Sequence, residues 1–432
     1  MFEIKTITKA NIRLGEYSNK RKRVQTPAYF FISNIGGGGT NVSRMFSYFD
    51  LFSDSYSQLL LNYYYLNAAF EKTPGFDSDL LSELDKFNNI LDFIESAKAI
   101  YQKRGRVSEK YRQRKNRYVP FVMLDSGSGN IFRDMVKTNK ISAETINKLY
   151  EQLIKDYEDF VEKHSFDICI AMDIAEKYTK KQGEHTNRGY KDSLISLGDL
   201  KANMDLLALT LKNSKNMQAL VFAPIHGSDP DSYLKFMNGV LDLEKKHERK
   251  FDGFAIGGLG KIKNKQVLYG IIKVIRTVLE SKSDTRPIHV LGAGSLQNII
   301  PMAILGADSF DCHSPWRRAS EGKYVVPLLN SSLTILQNKN FWSYLPLNGI
   351  TVKTYACDCP VCKEFSLDDL KKLYVTSMEN QYYAKILLFK HNIYQQEQVC
   401  RLCREPNLLS IIKNFPDSKN KRVMLEQLSI LH

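Results

Sequence analysis

From residue 119 onward, short apolar segments rich in β-branched residues alternate with long segments of helical periodicity. Segment 142–163 shows the second kind, because its apolar residues recur every three or four positions and so line one face of a helix. A strand followed by a helix, repeated many times, is typical of a parallel sheet covered on both faces. The predicted strands are 119–124, 167–172, 219–225, 252–256, 287–291 and 307–310, and the other predicted helices are 191–215, 230–248 and 265–281.

Two earlier apolar segments bring the number of predicted strands to eight. These segments are 24–33 and 57–66. Eight parallel strands with intervening helices close into a barrel. The sequence therefore predicts the α/β class and a (β/α)8 TIM barrel with inserted helices.

The composition excludes several classes of protein. Hydrophobic residues make up 43% and charged residues 25% of the 432 positions, which is ordinary for a globular chain and unlike a disordered or fibrous one. The sequence has no run of about 18 apolar residues, and its first residues lack the pattern of a signal peptide. We therefore expect a cytoplasmic protein that makes no use of a membrane.

The net charge of +14 permits an anionic partner, most simply a nucleic acid. Basic residues are densest in segment 102–118, which we interpret as an insertion in the barrel domain. This segment is a solvated helix face or loop in one interpretation. We favour a surface that follows the phosphates, because arginine dominates it and tyrosines lie within it. The arginines that we expect to bind nucleic acid are Arg104, Arg106, Arg112 and Arg114.

Polar residues and glycines stand where the predicted strands end, and in such a barrel these ends meet at one mouth. Each residue also has a structural interpretation: an Asp after a strand often caps a turn, a His packs, and a Gly forms a tight turn. Three carboxylates at one mouth exceed what we expect from chance. The residues are Asp125, Asp173, His226, Gly257, Gly258 and Asp311.

This set of residue types is suited to chemistry on a glycosidic bond. Of two paired carboxylates, one can attack the anomeric carbon and the other can protonate the leaving group. A third carboxylate can accept hydrogen bonds from the N–H edge of a purine such as guanine. Backbone N–H groups at Gly257 and Gly258 can donate to an exocyclic oxygen, so the mouth could bind a base flipped out of its stack.

The C-terminal region carries the pattern of a metal site. Cys357, Cys359 and Cys362 form a C-x-C-x-x-C triplet, and His391 follows on a predicted helix. Three thiolates and one imidazole make a closed, structural zinc shell. Cys400 and Cys403 are alternative sources of the fourth ligand, and otherwise we expect them to be buried as small apolar side chains.

Motifs along most of the chain resemble those of the tRNA-guanine transglycosylases, zinc-containing TIM barrels that exchange guanine for a 7-deazaguanine. The motifs, in chain order, are QTPAYFFISNIGGGGT, LDSGSGN, HGS, FDGFAIGGLG, HVLGAGS, ADSFDCHSPWRR, and CDCPVCKEF with the later KHN. The resemblance implies a catalytic barrel domain over 1–350 and a small zinc-binding subdomain with C-terminal helices over 351–432.

The resemblance also implies roles for individual residues. Asp311 would be the nucleophile and Asp125 the general acid and base. Asp173 would accept from N1–H and the amino group of guanine, while the N–H of Gly258 and His226 would meet O6. The remaining implied contacts are Leu291 on the base face, Arg317 with Arg318 on the nucleic acid, and zinc on Cys357, Cys359, Cys362 and His391.

The chain departs from the family pattern around the base. His226 stands where the family has Gln, and Gly129 stands where it has an aromatic residue, whose stacking role would pass to Ile131 or Phe132.

Two further departures concern the substrate. Trp316 replaces a Thr and offers a stacking surface beside Arg317, and Lys263 replaces a Glu. A Lys near the pocket would repel the cationic aminomethyl base of bacterial tRNA and would tolerate a neutral nitrile.

These departures resemble the DNA-acting branch of phages and bacterial genomic islands, which inserts 7-cyano-7-deazaguanine into DNA. We therefore expect DNA, guanine and that base as partners in a bacterial or phage-infected cell, with helper proteins as further partners. The oligomeric state stays open. The alternatives are a tRNA substrate and a non-catalytic partner subunit.

Overall fold

The computed structural model describes most of the chain. The described residues are 1–19, 22–32, 58–70, 92, 120–137, 146–174, 177–180, 193–196, 200–326, 331–334, 357–413, 422 and 425. The basic segment 102–118 lies outside them, and with it Arg104, Arg106, Arg112 and Arg114. Their role in binding nucleic acid therefore stays a prediction.

The chain starts with a small antiparallel sheet, and eight parallel strands then close into a barrel. The small sheet contains β1 (Phe2–Ile7), β2 (Arg13–Ser18) and β3 (Arg23–Gln25). The barrel strands are β4 (Ala28–Ile32), β5 (Gln58–Asn62), β6 (Phe121–Asp125), β7 (Ile168–Ile170), β10 (Leu220–Ile225), β11 (Gly253–Ile256), β12 (Ile288–Val290) and β13 (Ser309–Asp311). In this barrel β13 pairs with β4, and β7 pairs with β10. The predicted TIM barrel is confirmed, strand by strand.

Helices follow the barrel strands and cover them from outside. They are α1 (Tyr63–Phe70), α2 (Ser128–Lys137), α3 (Ile146–His164), α4 (Leu200–Asn213), α5 (Pro230–His247), α6 (Lys265–Ser281), α7 (Leu296–Ile304) and α8 (Ser314–Ser320). The start of α5 shows why the chain turns there: Pro230 has no N–H to lose, and the Asp229 side chain accepts from the backbone N–H of Ser232. Between β7 and α4 lies a two-stranded hairpin, β8 (Lys177–Lys180) with β9 (Ser193–Ser196).

Large apolar side chains fill the interior of the barrel. Phe30, Phe121 and Phe222 point inward from β4, β6 and β10, and all three are fully buried. Tyr17 of β2 closes the barrel from its lower end, with ring-centroid distances of 6.2–6.3 Å to these three rings. The small N-terminal sheet is therefore the floor of the barrel.

A buried charge network ties this floor to the barrel. Asp308, which is fully buried just before β13, accepts from the guanidinium groups of Arg13 (3.1 Å) and Arg276 (2.9 Å). It also accepts from the backbone N–H of Ile288 at 2.8 Å. Because two cations and an amide surround one carboxylate, its charge is compensated at this end of the barrel.

The C-terminal region packs against the outside of the barrel. It contains the hairpin β14 (Lys323–Val326) with β15 (Ser331–Thr334), followed by α9 (Leu367–Thr376), α10 (Met378–Leu402) and α11 (Leu408–Lys413). Buried residues of α10 belong to the same apolar cluster as the outer faces of the barrel strands. Among the described residues, no helix combines the length and apolarity needed to span a membrane. The division at residue 350 stays a prediction.

Candidate active site

Asp311 lies at the barrel mouth as the last residue of β13, and its side chain is almost fully buried, with 3% of its surface exposed. Its Oδ1 accepts from the backbone N–H of Gly292 at 3.0 Å and lies 3.1 Å from Nε2 of His289. These partners hold the carboxylate in one orientation. A fixed carboxylate at a strand end is suited to nucleophilic attack.

Asp125, the last residue of β6, is the second carboxylate at the mouth. Its Oδ2 accepts from the Asn62 side chain at 2.7 Å, because the two residues are register partners on β5 and β6. Burial, together with the smaller effects of the charges of Asp173 and Asp311, raises the pKa of Asp125 to about 7, against hydrogen bonds from the Gly127 backbone and Asn62 that lower it. A carboxyl group with a pKa near neutrality can both give and take a proton.

Asp173 follows β7 and keeps 29% of its side chain exposed toward the mouth. The hydroxyl of Ser128 donates to its Oδ1, and Nε2 of His226 lies 3.7 Å from its Oδ2. His226 is itself held by ring packing on Phe236 at 4.4 Å and by a 3.4 Å contact with Oδ1 of Asn203. The structure thus brings the predicted Asp173 and His226 together.

The glycine turn after β11 offers one backbone donor rather than two. Gly257 already donates its N–H to the carbonyl of Ile225, so its predicted role in binding a base through this group is wrong. Gly258 has a φ of +75°, and an added Cβ would lie 3.0 Å from the hydroxyl of Tyr233, which donates to the Gly257 carbonyl. A side chain at Gly258 would therefore be strained by the backbone conformation and would crowd the Tyr233 hydroxyl.

Leu291 follows β12, packs on the apolar cluster inside the barrel and remains partly exposed. Phe132, one of two predicted stacking residues, is instead buried and packs edge-on against Tyr150 at 5.3 Å. Phe132 is therefore part of the outer core, while Ile131 is partly buried against the same core. Leu291 therefore leaves part of its side chain uncovered directly after β12.

Helix α8 begins three residues after Asp311 and carries the predicted nucleic-acid contacts. Arg317 is exposed, and burial lowers the pKa of the partly covered Arg318. Trp316 packs edge-on against Phe389 with ring centroids 5.4 Å apart. Only part of the Trp316 ring is thus available as a stacking surface.

Cys357, Cys359, Cys362 and His391 form one cluster, whose ligand atoms all lie within 4.8 Å of one another. Nδ1 of His391 lies 3.4–3.6 Å from the three sulfur atoms, and its Nε2 lies 2.8 Å from the carbonyl of Val325. A backbone acceptor on the second ring nitrogen orients a ligating imidazole. This donor set could hold a metal ion, and it fits a tetrahedral one.

The same geometry shows where Cys400 and Cys403, the alternative fourth ligands, lie. Cys400 and Cys403 are buried on α10 and its end, outside the cluster, as expected for small apolar side chains. Within the two turns that follow His391, the same helix also contacts the segment after Asp311. Asn392 donates to the carbonyl of Pro315 at 3.2 Å, and Gln396 donates to the hydroxyl of Ser314 at 3.1 Å.

The sequence did not point to several polar residues of the mouth. Asn62 could have been predicted, because a strand that ends at residue 62 would have aligned it with Asp125. Ser128 and Asn203 had weaker signals on their helices, and Tyr233 and His289 lie in apolar patterns that predict core residues. Their function depends on which side chain they meet across the barrel.

The fold and this site define a TIM-barrel protein with a carboxylate-lined mouth and an attached Cys3His cluster. The sequence model of the Queuine tRNA-ribosyltransferase family matches residues 8–406, so the chain belongs to that family. Proteins named queuine tRNA-ribosyltransferase are similar to this chain in Clostridium kluyveri (23% identity, covering 56% of this chain and 57% of the relative) and in Aquifex aeolicus (27% identity, 45% and 47%). One from a Thermoanaerobacter species is 29% identical over 39% of this chain and 42% of its own length. The chain thus spans about half the length of these curated relatives.

Proposed function

We propose that this protein is a pentosyltransferase that exchanges guanine in a nucleic acid for a 7-deazaguanine. The observation that carries the proposal is the pair of Asp311 and Asp125 at one mouth, the first fixed by hydrogen bonds and the second with a pKa of about 7. Family membership and the names of the relatives support the same reaction class.

In the first half of the reaction, Asp311 attacks C1′ of the nucleoside. The bond between C1′ and N9 breaks, and N9 takes a proton from Asp125 as guanine departs. Before this step, Asp173 accepts from N1–H and the amino group of the base, while Gly258 N–H and His226 meet O6. Leu291 supports the face of the base.

The second half reverses these events with a different base. The 7-deazaguanine gives its N9 proton to Asp125 and attacks C1′, which releases the Asp311 carboxylate. One glycosidic bond is exchanged for another, so the reaction needs no nucleotide hydrolysis.

We propose DNA as the nucleic acid and 7-cyano-7-deazaguanine as the incoming base. Lys263 is exposed on the turn that follows Gly258, where a cation favours a neutral base over a cationic one. Arg317, Arg318 and the exposed part of Trp316 form the nucleic-acid surface. The protein would act in the cytoplasm of a bacterium or a phage-infected cell, with helper proteins as further partners. A tRNA substrate is the second candidate, favoured by the names of the relatives.

Base exchange with two labelled bases tests this proposal. Purified protein receives duplex DNA and tRNA in parallel, each with radiolabelled guanine or 7-cyano-7-deazaguanine, and mass spectrometry identifies the modified nucleoside. Label in DNA supports the proposal. Label in tRNA alone overturns the DNA assignment and the interpretation of Lys263. Label in neither, with folded protein, overturns the exchange activity and leaves the partner-subunit alternative.

We propose that the metal is a structural zinc ion held by Cys357, Cys359, Cys362 and His391. Metal analysis of the purified chain tests it: one zinc per chain is expected, and Cys359→Ser should lose it. Cys400→Ser is the matched control, because it also changes a buried thiol yet should retain the metal. A zinc content equal in both variants would contradict this ligand set.

A further inference from the structure

A buried row of hydrogen-bonded side chains runs from the barrel floor to Asp311. His289, the middle residue of β12, is fully buried and points into the barrel. Its Nε2 lies 3.1 Å from Oδ1 of Asp311, and its Nδ1 lies 2.9 Å from the hydroxyl of Ser309. That hydroxyl in turn lies 3.0 Å from the hydroxyl of Tyr17. Ser309 and His289 are register partners on β13 and β12, which fixes this approach.

Tyr17, at the floor end of this row of side chains, sets the direction of every hydrogen bond in the row. Burial raises the pKa of Tyr17 far above its ordinary value, so Tyr17 keeps its proton. Within the described part of the chain, the Tyr17 hydroxyl meets Ser309 as its hydrogen-bond partner. A buried O–H group that fails to donate is costly, so Tyr17 donates to Ser309.

The same argument applies to the next two side chains, Ser309 and His289. Ser309 is fully buried, and with its oxygen accepting from Tyr17, its own proton has Nδ1 of His289 as acceptor. A ring nitrogen that accepts carries no proton. His289 therefore carries its proton on Nε2 and donates it to Oδ1 of Asp311.

Two donors consequently converge on one oxygen of Asp311. The Nε2–H of His289 and the backbone N–H of Gly292 both end on Oδ1. Among the described residues, Oδ2 accepts no hydrogen bond from the protein, so its lone pairs are those that can attack. Hydrogen bonding thus makes the two oxygens of this carboxylate unequal before substrate arrives.

We propose that His289, as the neutral Nε2–H tautomer set by Tyr17 and Ser309, is a positioning residue that directs Oδ2 of Asp311 toward C1′. This inference rests on the proposed exchange of bases. In the first step Oδ2 forms the bond to C1′ while Oδ1 becomes the carbonyl oxygen of a glycosyl ester. In the second step the C1′–Oδ2 bond breaks, and the same two N–H groups receive the restored negative charge.

Nitrogen NMR of histidine tests the tautomer without any need for activity. The full chain is labelled with ¹⁵N-histidine, and the His289 signals are assigned by their loss in His289→Gln. We expect Nε2 to be protonated and Nδ1 unprotonated at pH 7–8. A protonated Nδ1, whether in the other tautomer or in an imidazolium, overturns the inference.

Kinetics of three proteins test the positioning role. His289→Leu removes the donor, whereas in His289→Gln the side-chain amide reaches about as far as Nε2 and keeps a donor for Asp311. We expect His289→Leu to lower kcat for exchange by about 100-fold with KM changed less than about threefold, and His289→Gln to recover most of the rate. A merely structural role predicts equal losses in both variants in step with their melting temperatures, and that result, or full activity of His289→Leu, overturns the inference.

The substrate question is separable from this one. Both kinetic assays use DNA and tRNA, so label in tRNA alone overturns the DNA proposal while the ratio of the two variants still decides the role of His289. If wild-type protein labels neither, the proposed exchange fails and so does this role, whereas the NMR result still decides the tautomer.

Discussion

Both ends of the barrel bury carboxylates but, in the part of the chain that the structure describes, only those at one end are paired with arginines. At the foot, Asp308 is enclosed by Arg13, Arg276 and a backbone amide. At the mouth, within the described residues, no Lys or Arg forms an ion pair with Asp125 or Asp311, and burial together with the charges of Asp173 and Asp311 raises the pKa of Asp125.

This difference separates stability from function. A carboxylate compensated by two arginines, such as Asp308, stabilises one arrangement of the chain. A buried carboxyl group without a cationic partner in the described structure, such as Asp125, costs folding energy when it is ionised, and it can hold a proton near neutral pH. The four changes below test this contrast, beginning with the largest expected effect.

Asp311→Asn should abolish exchange, with a loss of roughly 1,000-fold or more in kcat, because the amide cannot form the glycosyl ester. Binding of nucleic acid and the melting temperature should stay close to those of the wild type. Single-turnover exchange and a DNA-binding titration measure both. Substantial residual turnover would remove Asp311 from the nucleophile role.

Asp308→Asn should act on stability instead. It leaves Arg13 and Arg276 without their carboxylate, which costs about 3–5 kcal/mol of unfolding free energy. The exchange rate per folded molecule should be retained. Urea unfolding measures the effect, with the exposed Asp242→Asn as a matched control expected within about 0.5 kcal/mol of wild type. Equal stability of the two variants would show that the network at the foot contributes nothing.

Asp125→Asn should lower exchange about 100-fold or more and yet stabilise the protein at pH 8. The pKa of Asp125 is raised from its ordinary value to about 7, so the folded state binds more protons than the unfolded state between about pH 4 and 7. Wild-type stability therefore falls as pH rises through this window. Asn avoids this cost, and because Asp125 is partly exposed we expect a gain of about 1–2 kcal/mol.

The same pKa predicts the pH profile of the chemistry. Release of guanine needs protonated Asp125, so the rate of the first half-reaction should fall as pH rises above about 7. Thermal unfolding at pH 4 and 8 and single-turnover rates from pH 5 to 9 check both statements. A variant that is less stable than wild type at pH 8 would contradict the uncompensated charge at the mouth.

Arg317→Gln should have the smallest effect. Loss of one phosphate contact should weaken binding a few-fold for all sequences and reduce the slope of log K against log salt by about one. Lys246, exposed near the C-terminal end of α5 and so at the foot, provides the matched control: Lys246→Gln should leave the slope unchanged. Identical slopes for both variants would show that the mouth is not the nucleic-acid surface.

The local sequence pattern was sufficient to predict most of the fold. Periodicity and apolar runs predicted all eight barrel strands, and α6 begins and ends where its pattern does. The predicted helix 191–215 begins at Leu200 instead, because residues 193–196 pair with 177–180 in a hairpin. Pairing with a distant segment overrode local propensity there.

The site likewise contains features that the local sequence predicted and features that only the tertiary structure decided. The sequence by itself determined that Asp125, Asp173 and Asp311 meet at one mouth and that three cysteines cluster elsewhere, because strand ends and short ligand spacings are local features. Only the tertiary structure decided that Gly257 has no free N–H, that Phe132 turns away, and that Tyr17 reaches Ser309 across 292 positions of sequence. A hydrogen bond depends on the register between distant segments, and that register exists only once the barrel has closed.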